Sequence, residues 1–302
     1  MNALEKRINS AAGLLELAKR AWRRSARLQA GALLVGFMAA IAVLGPYLAP
    51  YPSDGMGVVP LNAADRAGKP PCPEFPFGTD SLGRDVLSRV LMGARLALAQ
   101  ILLVVSLSLA LGLLVGVYAA YYRGPVEAVL NYASEVFLAI PAIVIALALR
   151  LVLGQGLHVV VASLVLSWWP WYARTSYVYA RAVAEMEYVL LARLAGVPDR
   201  VVVFRHVVRN VLPLVLVQAI TDLGSVLLEA SAINFLGLGL PPDAPDWGII
   251  VQNGFKYIAS MPWISMFPGL FILVTALGFS LVGDSLREEV DPKMRRRWKL
   301  WF

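Results

Sequence analysis

Residues 96–122 read LALAQILLVVSLSLALGLLVGVYAAYY, 27 consecutive positions without a charged side chain. The hydrocarbon core of a bilayer takes roughly 20 apolar residues per helix. The run therefore reads as one membrane helix, and the rest of the chain repeats the pattern. Leu28–Ser53 is uncharged over 26 positions, and Leu151–Ala173 and Tyr257–Gly283 are uncharged too. Ala128–Leu149 carries one charge, Glu135, and Asn210–Pro242 carries two, Asp222 and Glu229. The whole chain of 302 residues is 59% hydrophobic and 16% charged, against about 45–50% and 25% in soluble domains. This balance excludes a disordered chain and a disulfide scaffold and argues against a soluble enzyme. It predicts an all-α, polytopic membrane protein with six transmembrane helices, near 28–49, 95–121, 128–152, 157–178, 211–236 and 266–286.

Charge orients these helices. The net charge is +7, and 20 of the 27 Lys and Arg residues fall in four places. These are the N-terminal segment, the turn at Arg123, the loop after the fourth helix and the C-terminal tail. Basic residues collect in cytoplasmic loops, so both termini are expected in the cytoplasm and the chain in a cell membrane, crossing it several times. The first apolar run exceeds the 7–15 residues of a signal-peptide core, so it reads as a retained helix.

The expected organisation is as follows. Residues 1–27 form a cytoplasmic amphipathic segment, whose stripe of Leu4, Ile8, Ala11, Leu15, Ala18 and Trp22 suits a helix on the membrane surface or against a partner. Residues 28–94 hold the first helix and a Pro-rich outer loop, 95–286 a core domain, and 287–302 a basic cytoplasmic tail. Gly154-Gln155-Gly156 reads as a tight turn between helices.

The cytoplasmic loop at 179–210 is the most informative segment. Met186, Leu190 and Leu194 recur on one helical face, and Arg181 with Glu185 is a possible i,i+4 pair. Gly196 supplies a helix stop with Pro198 beyond it, and a second short helix follows over about 199–209. A helix–Gly–helix element below the membrane suggests a docking surface, against the plainer reading of a solvated connector. Ala192, Ala195 and Gly196 permit close approach.

Residues able to carry covalent chemistry are few. The two histidines, His158 and His206, are expected on opposite faces of the bilayer, and the single cysteine, Cys72, excludes an internal disulfide. No P-loop, H-E-x-x-H or G-x-S-x-G motif occurs. No metal site or cofactor is expected in this chain, and no nucleic-acid partner. Gly112 and Gly116 form G-x-x-x-G, which lets membrane helices approach closely. Asp222 and Glu229 fall two turns apart on one stripe, Asp222 near mid-bilayer. Buried carboxylates face an aqueous cavity or a partner. Both a translocation pathway and an interhelical hydrogen bond fit Asp222; the hydrogen bond is the plainer reading for Glu229 and Glu135.

Several stretches carry a resemblance. Phe77-Gly78-Thr79-Asp80, Leu82-Gly83-Arg84-Asp85-Val86-Leu87-Ser88-Arg89 and Gly93-Ala94-Arg95 form the first. Glu229-Ala230-Ser231, Phe235-Leu236-Gly237-Leu238-Gly239, Pro245 and Trp247-Gly248 form the second, and Phe267-Pro268-Gly269, Gly283-Asp284, Leu286-Arg287 and Asp291-Pro292 the third. From Leu28 onward the chain resembles the C-type permease subunits of dipeptide and oligopeptide importers of the ATP-binding cassette class. The resemblance implies the type I importer permease fold and alternating access. It implies a homologous second permease, two cytoplasmic ATPases that bind ATP and Mg, and an external solute-binding protein. This chain would then not be an enzyme. Glu187, Tyr188, Val189, Ala192, Ala195, Gly196, Val197, Asp199, Arg205 and His206 match the family's ATPase-docking coupling helix. Leu190-Leu191-Ala192 stand where the family usually has Glu-Ala-Ala, Arg209 replaces a usual proline, and Asn131 replaces a common arginine. Related systems import oligosaccharides, which gives an alternative substrate. A stand-alone ion or proton-coupled carrier working through Asp222 and Glu229 is the alternative of another class.

Overall fold

The computed structural model describes residues 25–290, with side chains to 288. Most of the amphipathic segment expected over 1–27 and of the tail expected over 287–302, namely 1–24 and 291–302, lies outside the described residues; 26–27 and 287–290 belong to the first and last helices. The described residues are overwhelmingly helical, with one isolated bridge, Thr79 to Asp85, as their only β pairing.

The helices, in chain order, begin with α1 (Ala26–Leu48), capped by the Ser25 hydroxyl, which accepts from the Leu28 amide at 3.2 Å. The loop between the first and second long helices holds two four-residue turns, α2 (Pro52–Gly55) and α3 (Ala63–Arg66). Helix α4 (Val86–Tyr122) spans 37 residues, about 55 Å at 1.5 Å per residue. It begins nine residues before the expected start at 95, because Asp85 caps it through the Ser88 amide at 2.7 Å and the buried Arg89 continues it.

The expected helix over 128–152 is in fact two: α5 (Gly124–Leu138) and α6 (Ala142–Leu153), bent by 87°. Pro141 explains the break. It lacks an amide hydrogen and disfavours helical geometry at the residue before it, and here it caps the second half. Helix α7 (Leu157–Ala184) follows the predicted Gly154–Gly156 turn, both glycines having positive φ. Next come α8 (Glu187–Leu194) and α9 (Asp199–Phe235). No separate short helix occupies 199–209: that stretch runs unbroken into the expected helix at 211, with a π-helical segment over Val202–Val208. The last two are α10 (Trp247–Phe255) and α11 (Trp263–Val290).

Helices α1, α4, α9 and α11 are long and apolar enough to cross a membrane, and the bent pair makes a fifth candidate. The remaining expected span, 157–178, corresponds to α7, which is 28 residues long but carries His158, Arg174 and Arg181. Its polarity keeps composition alone from marking it as a span. Large apolar side chains such as Leu33, Phe37, Val43, Leu103 and Leu273 point outward. In lipid this is the favourable arrangement, because hydrocarbon solvates them.

The centre is built where α4 crosses α7. A Cβ on Gly112 would meet Ala173 N at 2.7 Å, and one on Gly116 would meet Ser176 Cβ and Tyr177 N at 2.8 Å each. The two glycines thus bring backbones together, as the G-x-x-x-G spacing predicts.

Candidate functional site

The loop below α7 is a hairpin of two helices. Helix α8 ends at Leu194, and Gly196 follows at φ +75° with open space where its Cβ would sit. The Gly196 amide donates to Arg193 O at 3.0 Å and the Val197 amide to Ala192 O at 3.1 Å. These bonds satisfy two of the helix's terminal carbonyls, as a left-handed glycine stop does. Val189 is fully buried with Val202, Val203 and Val207 of the facing segment, and Tyr188, Ala192 and Val197 pack against that core.

Polar contacts fix the hairpin. Asn210 Nδ2 donates to His206 O at 2.5 Å and to Tyr188 Oη at 3.1 Å, and the Tyr188 and His206 rings lie 6.0 Å apart. The Tyr121 hydroxyl, at the end of α4, donates to Asp199 Oδ1 at 2.6 Å, and the Arg193 guanidinium lies over the Tyr121 ring at 4.9 Å. The ten residues singled out in sequence therefore divide. Tyr188, Val189, Ala192, Val197, Asp199 and His206 hold the hairpin together or to α4, whereas Glu187, Ala195, Gly196 and Arg205 face outward. Met186 leaves the face it was expected to share with Leu190 and Leu194: it caps α8 and packs on the core, while the two leucines are exposed. Sequence reading missed Tyr121, because nothing local marks it; its partners lie more than 70 residues away.

Ion pairs continue from the hairpin to the elbow between α4 and α5. Arg181 Nη1 meets Glu127 Oε1 at 2.9 Å, and its Nε meets Glu185 at 3.4 Å, the predicted i,i+4 pair. Arg123 adds a contact to Glu185 at 2.8 Å, and Tyr177 donates to Glu127. All are exposed or half-exposed, so each contributes less than about 1 kcal/mol; their effect is to fix geometry.

The two intramembrane carboxylates meet the same helix. Glu229 is exposed, and its Oε2 accepts from Trp168 Nε1 of α7 at 2.8 Å. Asp222 is buried; its Oδ1 accepts from Gln218 at 2.8 Å, while Oδ2 has no partner. The Tyr172 hydroxyl, one turn along α7 from Trp168, lies beside it. Glu135 is exposed on α5. Among the described residues, no group of three or more His, Cys, Asp or Glu is placed to hold a metal ion.

The model of binding-protein-dependent transport system inner membrane components matches residues 112–296. The chain belongs to this family. The dipeptide transport system permease protein DppC of Alkalihalophilus pseudofirmus is 31% identical over 265 residues, 88% of this chain and 85% of that protein. A putative peptide transport system permease protein of Brucella suis is 37% identical over 256 residues, 84% of this chain and 85% of that one. The nickel transport system permease protein NikC of Escherichia coli K12 is 31% identical over 262 residues, 87% and 92% of the two chains. The family is a membrane permease component of transporters, and the chain is a multi-pass membrane protein.

In this inner membrane component, residues 77–89 prove to be a buried staple. Arg84 Nε meets Asp80 Oδ2 at 2.7 Å, and its Nη1 reaches Asp243 at 3.1 Å. Arg66 meets Asp54 at 2.5 Å, and Asp54 also accepts from the Asp85 amide at 3.0 Å. Arg89 donates to Ala244 O at 3.3 Å, Trp263 Nε1 to Thr79 O at 3.0 Å, and Trp247 Nε1 to Val90 O at 2.9 Å. The loop before α4, the loop before α10 and the start of α11 are thereby tied to α4. Burial raises the Asp85 carboxyl above its ordinary range, against the pull of two Ser88 hydrogen bonds. Burial also pushes Asp246, the cap of α10, up to about 6.

Proposed function

We propose that this chain is one permease subunit of an ATP-driven importer of di- and oligopeptides. Similarity to peptide permeases over more than four-fifths of the chain supports the substrate class. The observation that carries the mechanism is the α8 hairpin, packed on its own core yet turning Glu187, Ala195, Gly196 and Arg205 outward. In this reading both termini are cytoplasmic, and a homologous permease completes the pore. Two ATPases, which hold ATP and Mg, dock on the hairpin, and an external binding protein delivers substrate. Closure of the ATPases moves α8. Tyr121–Asp199 passes that motion to α4, and Arg181, Glu185 and Arg123 pass it to α7 and α5. Access then alternates between the two sides of the membrane. Glu229 and Asp222 line the pathway along the α7 stripe of Trp168 and Tyr172.

The nickel permease among the relatives gives a second reading, a metal-ion substrate. Uptake into proteoliposomes holding both permeases, the ATPases and the binding protein separates them. ATP-dependent accumulation of a labelled dipeptide is expected, reduced about tenfold by Asp222→Asn. Accumulation of nickel or of an oligosaccharide instead would change the substrate class. Uptake without ATP would replace the importer with a stand-alone carrier, and unaltered uptake by Asp222→Asn would return that residue to packing.

A further inference from the structure

We infer that Arg150 and Gln252 form a carboxylate-binding cradle at the end of α9, which takes the free C-terminus of a peptide. The inference rests on the peptide-importer reading above and names residues that set its specificity. Arg150 is the one charged residue of α6. It lies on the side of α6 that faces protein. Ile145 and Ala146, about one turn before it, are buried, whereas Val144, Leu147, Leu151 and Val152 are exposed. An ionisable group in an apolar helix faces an aqueous cavity or a partner. Arg150 is half-buried, and among the described residues no carboxylate pairs with it.

Three helices meet at this point. The Gly156 amide donates to Gly239 O at 3.0 Å, which holds the end of α6 beside the end of α9. The Phe235 and Phe255 rings meet edge to face at 5.6 Å, which holds α10 against the same end. Between them Gly237 takes a φ of +70°. A Cβ on Gly237 would sit 3.1 Å from Gln252 Nε2 and 3.8 Å from Arg150 Nη1. The guanidinium and the amide therefore converge on a space that glycine leaves open. A guanidinium offers paired N–H donors that match the two oxygens of a carboxylate. The other use of an arginine here is to cap the carbonyl ends of α6 and α9. That use is not taken: among the described residues, neither Arg150 nor Gln252 makes a side-chain hydrogen bond. Glu229 supplies the opposite charge. It is exposed eight residues earlier on the way to Gly237, about 12 Å along the axis at 1.5 Å per residue. An extended chain covers about 3.3–3.6 Å per residue, so a tri- or tetrapeptide can set its ammonium at Glu229 and its carboxylate at Arg150. A nickel ion is repelled by Arg150, and a neutral oligosaccharide has a charge for neither residue. An anionic lipid headgroup offers Arg150 the same chemistry but no counterpart for Glu229.

The test uses the complete complex, both permeases with their ATPases and binding protein, in phosphatidylcholine liposomes with and without phosphatidylglycerol. Uptake of a labelled tripeptide is compared with uptake of its C-terminal amide. The binding protein is the same throughout, so its own preference cancels when the acid-to-amide ratio of a variant is divided by that of the wild type. Arg150→Gln is expected to lower this ratio about tenfold, through loss of uptake of the free acid. Arg150→Lys, which keeps the charge, is expected to restore part of it. An unchanged ratio overturns the cradle. Equal loss of both peptides overturns it too, and makes Arg150 a residue of the fold. A ratio that changes only where phosphatidylglycerol is present assigns the site to a lipid headgroup and likewise overturns the inference. Absence of ATP-dependent peptide uptake by the wild type overturns the importer reading beneath it and the cradle together.

Discussion

Asp246 is a single carboxyl whose burial sets a pH dependence. Its Oδ1 accepts from the Ile249 amide at 3.2 Å and starts α10, yet burial pushes its pKa up to about 6 from an ordinary value near 3.8. The folded state therefore binds the proton more tightly than the unfolded state. Stability from this group is greatest below pH 4, falls as pH rises from 4 to 6, and is fully lost above 6. The span corresponds to at most about 3 kcal/mol. Asp246→Asn keeps a capping oxygen and removes the charge. Thermal unfolding of the detergent-solubilised protein should therefore show the wild type gaining on Asp246→Asn as pH drops from 6.5 to 4.5; a constant difference would contradict the burial argument. The carboxylates at this scale were legible in part. Asp222 and Glu229 stood out because little else in their apolar runs is charged. Asp80, Arg84 and Asp85 were legible only as a family pattern. Their role as a buried staple depends on Asp54 and Asp243, and Asp243 is 159 residues from Arg84, a distance no local spacing reveals.

At the scale of elements, the α4–α7 crossing decides the packing of the core. Gly116→Ala would force a Cβ to within 2.8 Å of Ser176 Cβ and Tyr177 N, whereas Gly36, on the outer side of α1, has nothing within 4 Å. Overpacking costs typically 1–3 kcal/mol. Gly116→Ala is expected to lower the melting temperature in detergent by several degrees, with Gly36→Ala neutral; equal melting of the two would contradict the close approach. The sequence made most helices visible, because lipid demands long uncharged runs. It hid the break at Pro141, since hydropathy averages across a bend, although the proline itself signals one. It also split α9 in two: the charged short helix expected at 199–209 and the apolar span expected from 211 are one continuous helix.

At the scale of the whole molecule, two polar anchors sit at opposite ends of α4. The staple gathers Asp54, Arg66, Asp80, Arg84 and Asp85 around its start, and the hairpin grips Tyr121 at its end. A 37-residue helix held at both ends can carry displacement from one side of a membrane to the other as a rigid body. The staple explains why the stretch before α4 is rich in charge in an otherwise apolar chain: breaking one partner of a buried pair costs about 3–5 kcal/mol, so these loops are held fixed, and in the proposed mechanism the hairpin is the part that moves. The most direct measurement is ATP hydrolysis by the complete reconstituted complex, with and without substrate-loaded binding protein, for the wild type and for Gly196→Trp. A Cβ at Gly196 meets nothing within 4 Å, so the indole would project from the hairpin's outer face; φ of +75° strains any side chain there, so co-purification of the variant with the second permease is measured alongside. The account predicts stimulation by loaded binding protein in the wild type, and its loss in Gly196→Trp with membrane insertion intact. Hydrolysis indifferent to binding protein in the wild type, or full stimulation in Gly196→Trp, would contradict it.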